Sequence, residues 1–201
     1  MILTDCSTLY RWVFPKWRWK GPSKKAVYLT FDDGPDPEAT PLVLSILKTH
    51  DVKATFFCVG ENSERFPELI AQIKADGHRI GNHTHSHEHG WKTPKNLYLK
   101  SVENAAQSID STLFRPPYGK MKLTSAKQIR KAGFTIVMWS WLSYDYKQNL
   151  TASRIIQKAN HIKGGDILLF HDSQKTLAKI SKMLPEIIEI ITQKNLTFEL
   201  I

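Results

Sequence analysis

Four of the eight histidines fall between positions 83 and 89, in the run Asn82-His83-Thr84-His85-Ser86-His87-Glu88-His89. His83 and His87 are four apart, and so are His85 and His89. On a helical turn either pair would put two imidazoles on one face, close enough to share a divalent ion; a solvated histidine-rich loop carries the same residues. A second group is Thr30-Phe31-Asp32-Asp33-Gly34-Pro35. Two carboxylates close an apolar strand, and neighbours on a strand point to opposite sides. One can therefore ligate a metal while the other stays free as a base. On its own, Asp-Gly-Pro is equally good turn chemistry. In Arg115-Pro116-Pro117-Tyr118-Gly119, two prolines stiffen a loop that holds Arg115 and leaves the N–H groups after Pro117 able to face a ligand. Finally, His171 ends the apolar run Leu169-Phe170-His171-Asp172, where a histidine can titrate near neutral pH or sit satisfied in the core. Together, one aspartate and two histidines make a three-ligand set that leaves open positions on zinc. A free carboxylate and a free histidine then remain as base and acid, the equipment of a metal-assisted hydrolase.

These groups need elements that bring them to one place. From residue 26 onward, short apolar runs alternate with segments of helical period. Strands are expected at Ala26–Phe31, Lys53–Val59, Arg79–Asn82, Leu113–Arg115, Phe134–Trp141, Asp166–His171 and Leu196–Ile201. Helices are expected at Glu38–His50, from an Asn62 or Ser63 cap to Gly77, from Thr93-Pro94 to about Ser111, from Thr124 to Gly133, after Thr151, and over Gln174–Lys194. Pro185 is expected to kink or split the last of these. Strand–helix alternation argues for parallel βαβ units, either an open doubly wound sheet or a closed barrel, with the site at the carboxyl ends of the strands in both cases. No glycine-rich dinucleotide fingerprint follows the first strand.

The 201 residues suit one domain, and 41% apolar with 23% charged residues is ordinary globular composition. No apolar run approaches the length of a membrane span. With only Cys6 and Cys58, neither a disulfide scaffold nor a cysteine metal cluster is expected, and Cys58 is read as a buried thiol rather than a partner of Cys6. Residues 1–25 carry six basic residues against Asp5, a net +5 of the chain's +9, interleaved with Tyr10, Trp12, Phe14, Trp17 and Trp19. Such a segment suits a membrane interface or a nucleic-acid groove. The favoured reading is an arm that packs its aromatics on the domain with its charges in water. This divides the chain into an arm, 1–25, and a catalytic domain, 26–201. No secretory h-region is legible.

The motifs TFDDGP (30–35), NHTHSH (82–87), RPPYG (115–119), WSWLSYDY (139–146) and LLFHDS (168–173), in that order, resemble those of the polysaccharide deacetylases, the NodB-type carbohydrate esterases. The resemblance covers about residues 25–201 and implies an α/β fold, a distorted (β/α)7 barrel of NodB-homology type. It implies that Asp33, His83 and His87 bind one divalent metal, zinc first and Co, Ni or Mn as alternatives. Asp32 would be the general base, paired with and oriented by Arg115, and His171 the general acid, oriented by Asp145. The Tyr118 N–H would donate to the oxyanion, and Leu169 and Trp141 would line the acetyl pocket. Leu142 stands where the family has an aspartate, and Tyr146 where it has a tryptophan. His85 and His89 take no family role and are read as rim residues. The implied reaction is hydrolysis of N-acetyl, or O-acetyl, groups on sugars such as chitin-like or peptidoglycan-derived glycans. The alternatives are another small amide or ester on the same scaffold, or a non-catalytic carbohydrate-binding protein. The expected partner is an acetylated sugar, with no nucleic acid, membrane contact only through residues 1–25, and a monomeric chain. The expected setting is the cytoplasm or membrane periphery of a bacterium.

Overall fold

A computed structural model describes residues 13–201. The first strand, β1 (Ala26–Asp32), is buried along its whole length, as expected of a parallel strand covered on both faces. It is followed by α1 (Ala39–Thr49), β2 (Thr55–Cys58), α2 (Gly60–Arg65), α3 (Pro67–Ala75) and β3 (Arg79–Asn82). Next come α4 (Lys95–Ser108), β4 (Leu113–Phe114), a 3-10 turn at Pro117–Gly119, α5 (Leu123–Lys131) and β5 (Thr135–Ile136). The chain ends through β6 (Trp141–Leu142), α6 (Ala152–Ala159), β7 (Ile167–His171), α7 (Leu177–Gln193) and β8 (Thr197–Phe198). Seven strands form one curled sheet in the order β5-β4-β3-β2-β1-β7-β6, and β8 pairs with the start of β1. All the pairings are parallel, so every carboxyl end lies on one rim. The expected (β/α)7 half-barrel is the fold.

Strand alternation sorts the core into layers. Val27, Leu29 and Phe31 of β1 face the helices with Val43, Leu47, Ile180 and Ile187, while Tyr28 faces inward with Phe57, Val137 and Ile167. A third cluster joins Tyr98, Val102, Phe114, Ile129 and Met138 to Trp19 of the arm. The arm also enters the sheet. The Arg18 N–H donates to Ile136 O at 2.8 Å, its carbonyl accepts from Met138 N–H at 2.7 Å, and Lys20 bridges Asp166. Residues 18–20 thus run between β5 and the entry to β7, across the open seam of the half-barrel. Residues 1–12 of the proposed arm, Cys6 among them, lie outside the described residues; Cys58 is a buried free thiol in β2.

Three element expectations are corrected. The strand expected over Phe134–Trp141 is two strands, because the chain changes partners along it: Val137 N–H donates to Phe114 O, Met138 N–H to the arm and Ser140 N–H to Ile167 O. The helix expected from Asn62 or Ser63 starts at Gly60 and breaks at Phe66, since Pro67 has no N–H to continue it and instead opens α3. Pro185 does not split α7, whose buried face (Ile180, Leu184, Ile187, Ile191) is held against the sheet on both sides of the proline.

Candidate active site

Two adjacent aspartates leave β1 in different directions. Asp32 is the last β1 residue and lies inside the barrel, 3% exposed. Asp33 adopts φ 81°, in the left-handed region, and stands one-third exposed at the rim. The turn beyond it is held from below by a residue with no assigned sequence role. Asp172 Oδ1 accepts from Gly34 N–H at 3.2 Å and Oδ2 from Thr40 Oγ1 at 2.6 Å. Burial pushes the Asp172 carboxyl well above its usual range. The sequence signal available was its place immediately after His171 in an otherwise apolar strand end.

His83 follows β3 and is buried. Its Nδ1 lies 2.8 Å from the Arg115 carbonyl, an arrangement that puts the proton on Nδ1 and leaves the Nε2 lone pair facing the carboxylates. Burial lowers its pKa to about 4, so the ring is neutral and able to ligate. His87 reaches the same point through a loop rather than the helical turn that the spacing suggested: residues 83–87 contain no helix, and Thr84 and His87 take φ 65° and 55°. His87 Nε2 is 3.1 Å and His83 Nε2 3.7 Å from Asp33 Oδ1. The three ligand atoms lie within 4.8 Å of one another. A tetrahedral ion bound at about 2.1 Å needs ligand atoms about 3.4 Å apart, so this donor set fits a divalent metal. Burial alone would raise the Asp33 carboxyl, but the hydrogen bond from His87 and the surrounding histidines carry it well below the usual range. The alternative pair does not converge. His85 Nδ1 is 3.8 Å from Glu64, and His89 stacks on the Tyr118 ring at 5.1 Å. Both are half-buried beside the site.

Arg115 is fully buried within the sheet. Its Nη1 donates to Asp32 Oδ1 and to Thr30 Oγ1, both at 2.7 Å; Nε donates to Val137 O and Nη2 to Met138 O. The guanidinium also lies 4.0 Å over the Phe57 ring. A charge buried this deeply is tolerated because it is paired and its donors are used. The outcome is that Asp32 has one oxygen fixed and the other, Oδ2, turned towards His83 Nε2 at 3.8 Å.

After Phe114 the two prolines lead into the 3-10 turn. Gly119 and Lys120 donate their N–H groups back to Pro116 and Pro117, while Tyr118 takes φ 61° and its N–H has no acceptor among the described residues. His87 meets the Tyr118 ring edge-on at 4.8 Å. Of the seven non-glycine residues with positive φ among those described, four (Asp33, Thr84, His87 and Tyr118) surround this point. Such backbone strain collects where a site needs it.

On the far wall, β7 runs in register with β1 so that His171 is beside Asp32. Asp145 holds His171 twice: Oδ1 lies 2.7 Å from Nδ1, and Oδ2 accepts the His171 backbone N–H at 2.8 Å. Burial would lower the imidazole pKa, but the Asp145 carboxylate outweighs it and raises the value to about 9. Leu169 faces inward beside Thr30, but the expectation for Trp141 is corrected. Trp141 pairs with Leu168 and packs on Phe170 at 5.5 Å in the helix-side core, so strand alternation turns it away from the site. The aromatic ring beside the acid histidine is Tyr146, edge-on to His171 at 5.3 Å.

The family model for polysaccharide deacetylase matches residues 20–137. A peptidoglycan-N-acetylglucosamine deacetylase of Bacillus cereus is 36% identical over 197 residues, covering 90% of this chain and 70% of that one. A chitooligosaccharide deacetylase of Azorhizobium caulinodans is 32% identical, covering 75% of each chain. A peptidoglycan N-acetylglucosamine deacetylase solved with 4-naphthalen-1-yl-N-oxidanyl-benzamide superposes with a TM-score of 0.86 at 33% identity, covering 96% of this chain and 94% of that one.

Proposed function

The chain belongs to the polysaccharide deacetylase family and is a hydrolase of N-acetyl groups on glycans; from that premise we propose that it deacetylates N-acetylglucosamine units of a peptidoglycan-like or chitin-like glycan with the side chains just described. The observation that carries this reading is the meeting of three groups of side chains at one rim. The Asp33–His83–His87 set, the Arg115-clamped Asp32 and the Asp145-held His171 lie side by side at the carboxyl ends of β3, β1 and β7.

Asp33, His83 and His87 would hold one divalent ion, zinc first, which when bound supplies the Lewis acid that acidifies water and polarises an acetyl carbonyl. Asp32 accepts the proton of the attacking water at Oδ2, while Arg115 keeps Oδ1 occupied. The Tyr118 N–H donates to the oxygen on which negative charge develops, a contribution of about 3 kcal/mol for such a donor elsewhere. His171, protonated because Asp145 holds it so, gives its proton to the departing sugar nitrogen, which is too basic to leave as an anion. Relatives named for bacterial cell-wall and chitooligosaccharide substrates support the glycan class, and no helix among the described residues is long and apolar enough to cross a membrane.

The test is acetate release from N-acetylglucosamine oligomers, peptidoglycan fragments and acetylated xylan, with metal content measured in parallel. Release from the amino-sugar substrates that chelation abolishes and zinc restores is the expected result. Asp32→Asn should retain stoichiometric metal and lose about 10²–10⁴ in kcat. Loss of metal in that variant would instead exchange the roles of the two aspartates.

A further inference from the structure

Beside the reacting centre, on the Tyr118 side, lies a cavity of about 860 Å³ that the proposed chemistry does not use. Its size falls in the range of pockets that enclose a small organic ligand. One wall belongs to the arm, where Phe14, Trp17 and Trp19 stack in series at 4.4 and 6.1 Å. Trp91 and Leu123 form an exposed lip, 58% and 63% accessible.

Four polar groups of the mainly apolar lining are turned to the protein. Ser140 Oγ donates to Asp166, Lys122 Nζ to the Thr93 carbonyl, Trp91 Nε1 to the Met121 carbonyl and Trp19 Nε1 to the Phe14 carbonyl. A pyranose ring brings several hydroxyls, each of which loses water on entry and is costly to leave unpaired. A hydrocarbon has no such requirement. The charged residues lining the cavity are Lys120 and Lys122, with no carboxylate, and Lys120 Nζ sits 5.2 Å over the Trp91 ring at the lip. An anion is therefore favoured at the mouth and an aliphatic chain inside.

The geometry points to an amphiphilic substrate: an acetylated amino sugar joined through an anionic group to an aliphatic chain, with the sugar at the metal centre, the anion near Lys120 and the chain along Trp17, Trp91 and Leu123. This inference rests on the deacetylase reading of the neighbouring site and names the substrate class for it.

The experiment compares the zinc-loaded full chain on the methyl and octyl β-glycosides of N-acetylglucosamine, below the micelle concentration. Each fully buried methylene multiplies affinity about fourfold, so even partial burial should make kcat/KM for the octyl glycoside at least tenfold higher. Leu123→Gln and Trp91→Ala should each remove most of that gain and leave the methyl glycoside rate within about twofold. Octyl phosphate and octyl glucoside, which carry no acetyl group, probe the groove by tryptophan fluorescence. The phosphate should bind more tightly, and Lys120→Gln should bring the two together. Equal rates on methyl and octyl glycosides overturn the inference. It is likewise overturned if the two variants erase a gain seen with chitotetraose, which makes the groove a sugar platform, or if fluorescence responds to anionic vesicles but not to monomeric octyl phosphate, which makes it a membrane contact. Binding of the octyl probes without acetate release from any glycoside would overturn the deacetylase reading and leave the groove assignment standing.

Discussion

Asp145 and His171 show how far a single contact can set chemistry. A histidine taken out of water loses its proton more readily, and yet this one is carried to about 9 by a carboxylate 2.7 Å away. The folded pKa is raised, so the pairing stabilises the fold fully below the ordinary histidine value near 6.5 and loses that contribution as pH rises through about 9. The alkaline limb of kcat/KM should therefore fall near pH 9 in the native chain. In Asp145→Asn it should move down by one to two pH units towards 6.5, with activity at neutral pH reduced. An unmoved limb in a pH–rate profile would remove His171 as the acid. Metal content provides the matching test on the other wall. His83→Ala and His87→Ala should each lose the ion, whereas His85→Ala and His89→Ala should keep it, because only the first pair has nitrogen atoms within 4 Å of Asp33.

At the scale of elements, the turn after β1 is the joint on which the two aspartates depend. Asp33 faces the rim in a left-handed bend, and the next residue, Gly34, lies against the buried Asp172 carboxyl. A Cβ added at Gly34 would come within 2.1 Å of Asp172 Oδ2, an atom that Thr40 holds in place. Gly34→Ala should therefore lower the melting temperature by several degrees and lose metal together with activity. Thermal unfolding and metal analysis on the same sample would check this; a stable variant with full metal content would mean that the turn tolerates displacement of Asp172. The sequence marked the Asp-Gly-Pro turn correctly, but the buttress comes from a strand 138 residues away, which no local pattern can indicate.

At the scale of the whole molecule, the half-barrel is open between β5 and β6, and residues 18–20 run along that seam. Lys20 also pairs with Asp166 at 2.9 Å, and Trp19, 8% exposed, completes the core between α4 and α5. Losing one buried tryptophan commonly costs about 3–5 kcal/mol. Deletion of residues 1–20 should lower the melting temperature markedly and leave metal stoichiometry unchanged, since no ligand lies on the arm. A truncated chain with the same melting temperature but lost binding to anionic vesicles would reassign the arm to a membrane surface.

Periodicity and turn residues were enough to determine the alternation of parallel strands and helices, and hence that the reactive side chains would gather at the strands' carboxyl ends. Residue type and spacing showed that two histidines and a carboxylate could share a metal beside a free carboxylate and histidine, because such roles depend on which atoms a side chain carries; the resemblance to the polysaccharide deacetylases singled out which aspartate and which histidine pair to expect in them. Tertiary structure alone decided the rest. The run from Phe134 to Trp141 reads as one strand, but its hydrogen bonds pass from β4 to the arm to β7, and that change of partner turns Trp141 outward and leaves Tyr146 beside His171. His83 and His87 read as a helical pair, yet they meet through a loop in left-handed conformations that only the surrounding packing sustains. Arg115 reads as one cation in a stiff loop, but its role comes from the carbonyls, hydroxyl and carboxylate that the curled sheet places around it. Each of these outcomes depends on contacts between residues distant in sequence, whose energies arise only once the sheet has curled and water has left its interior.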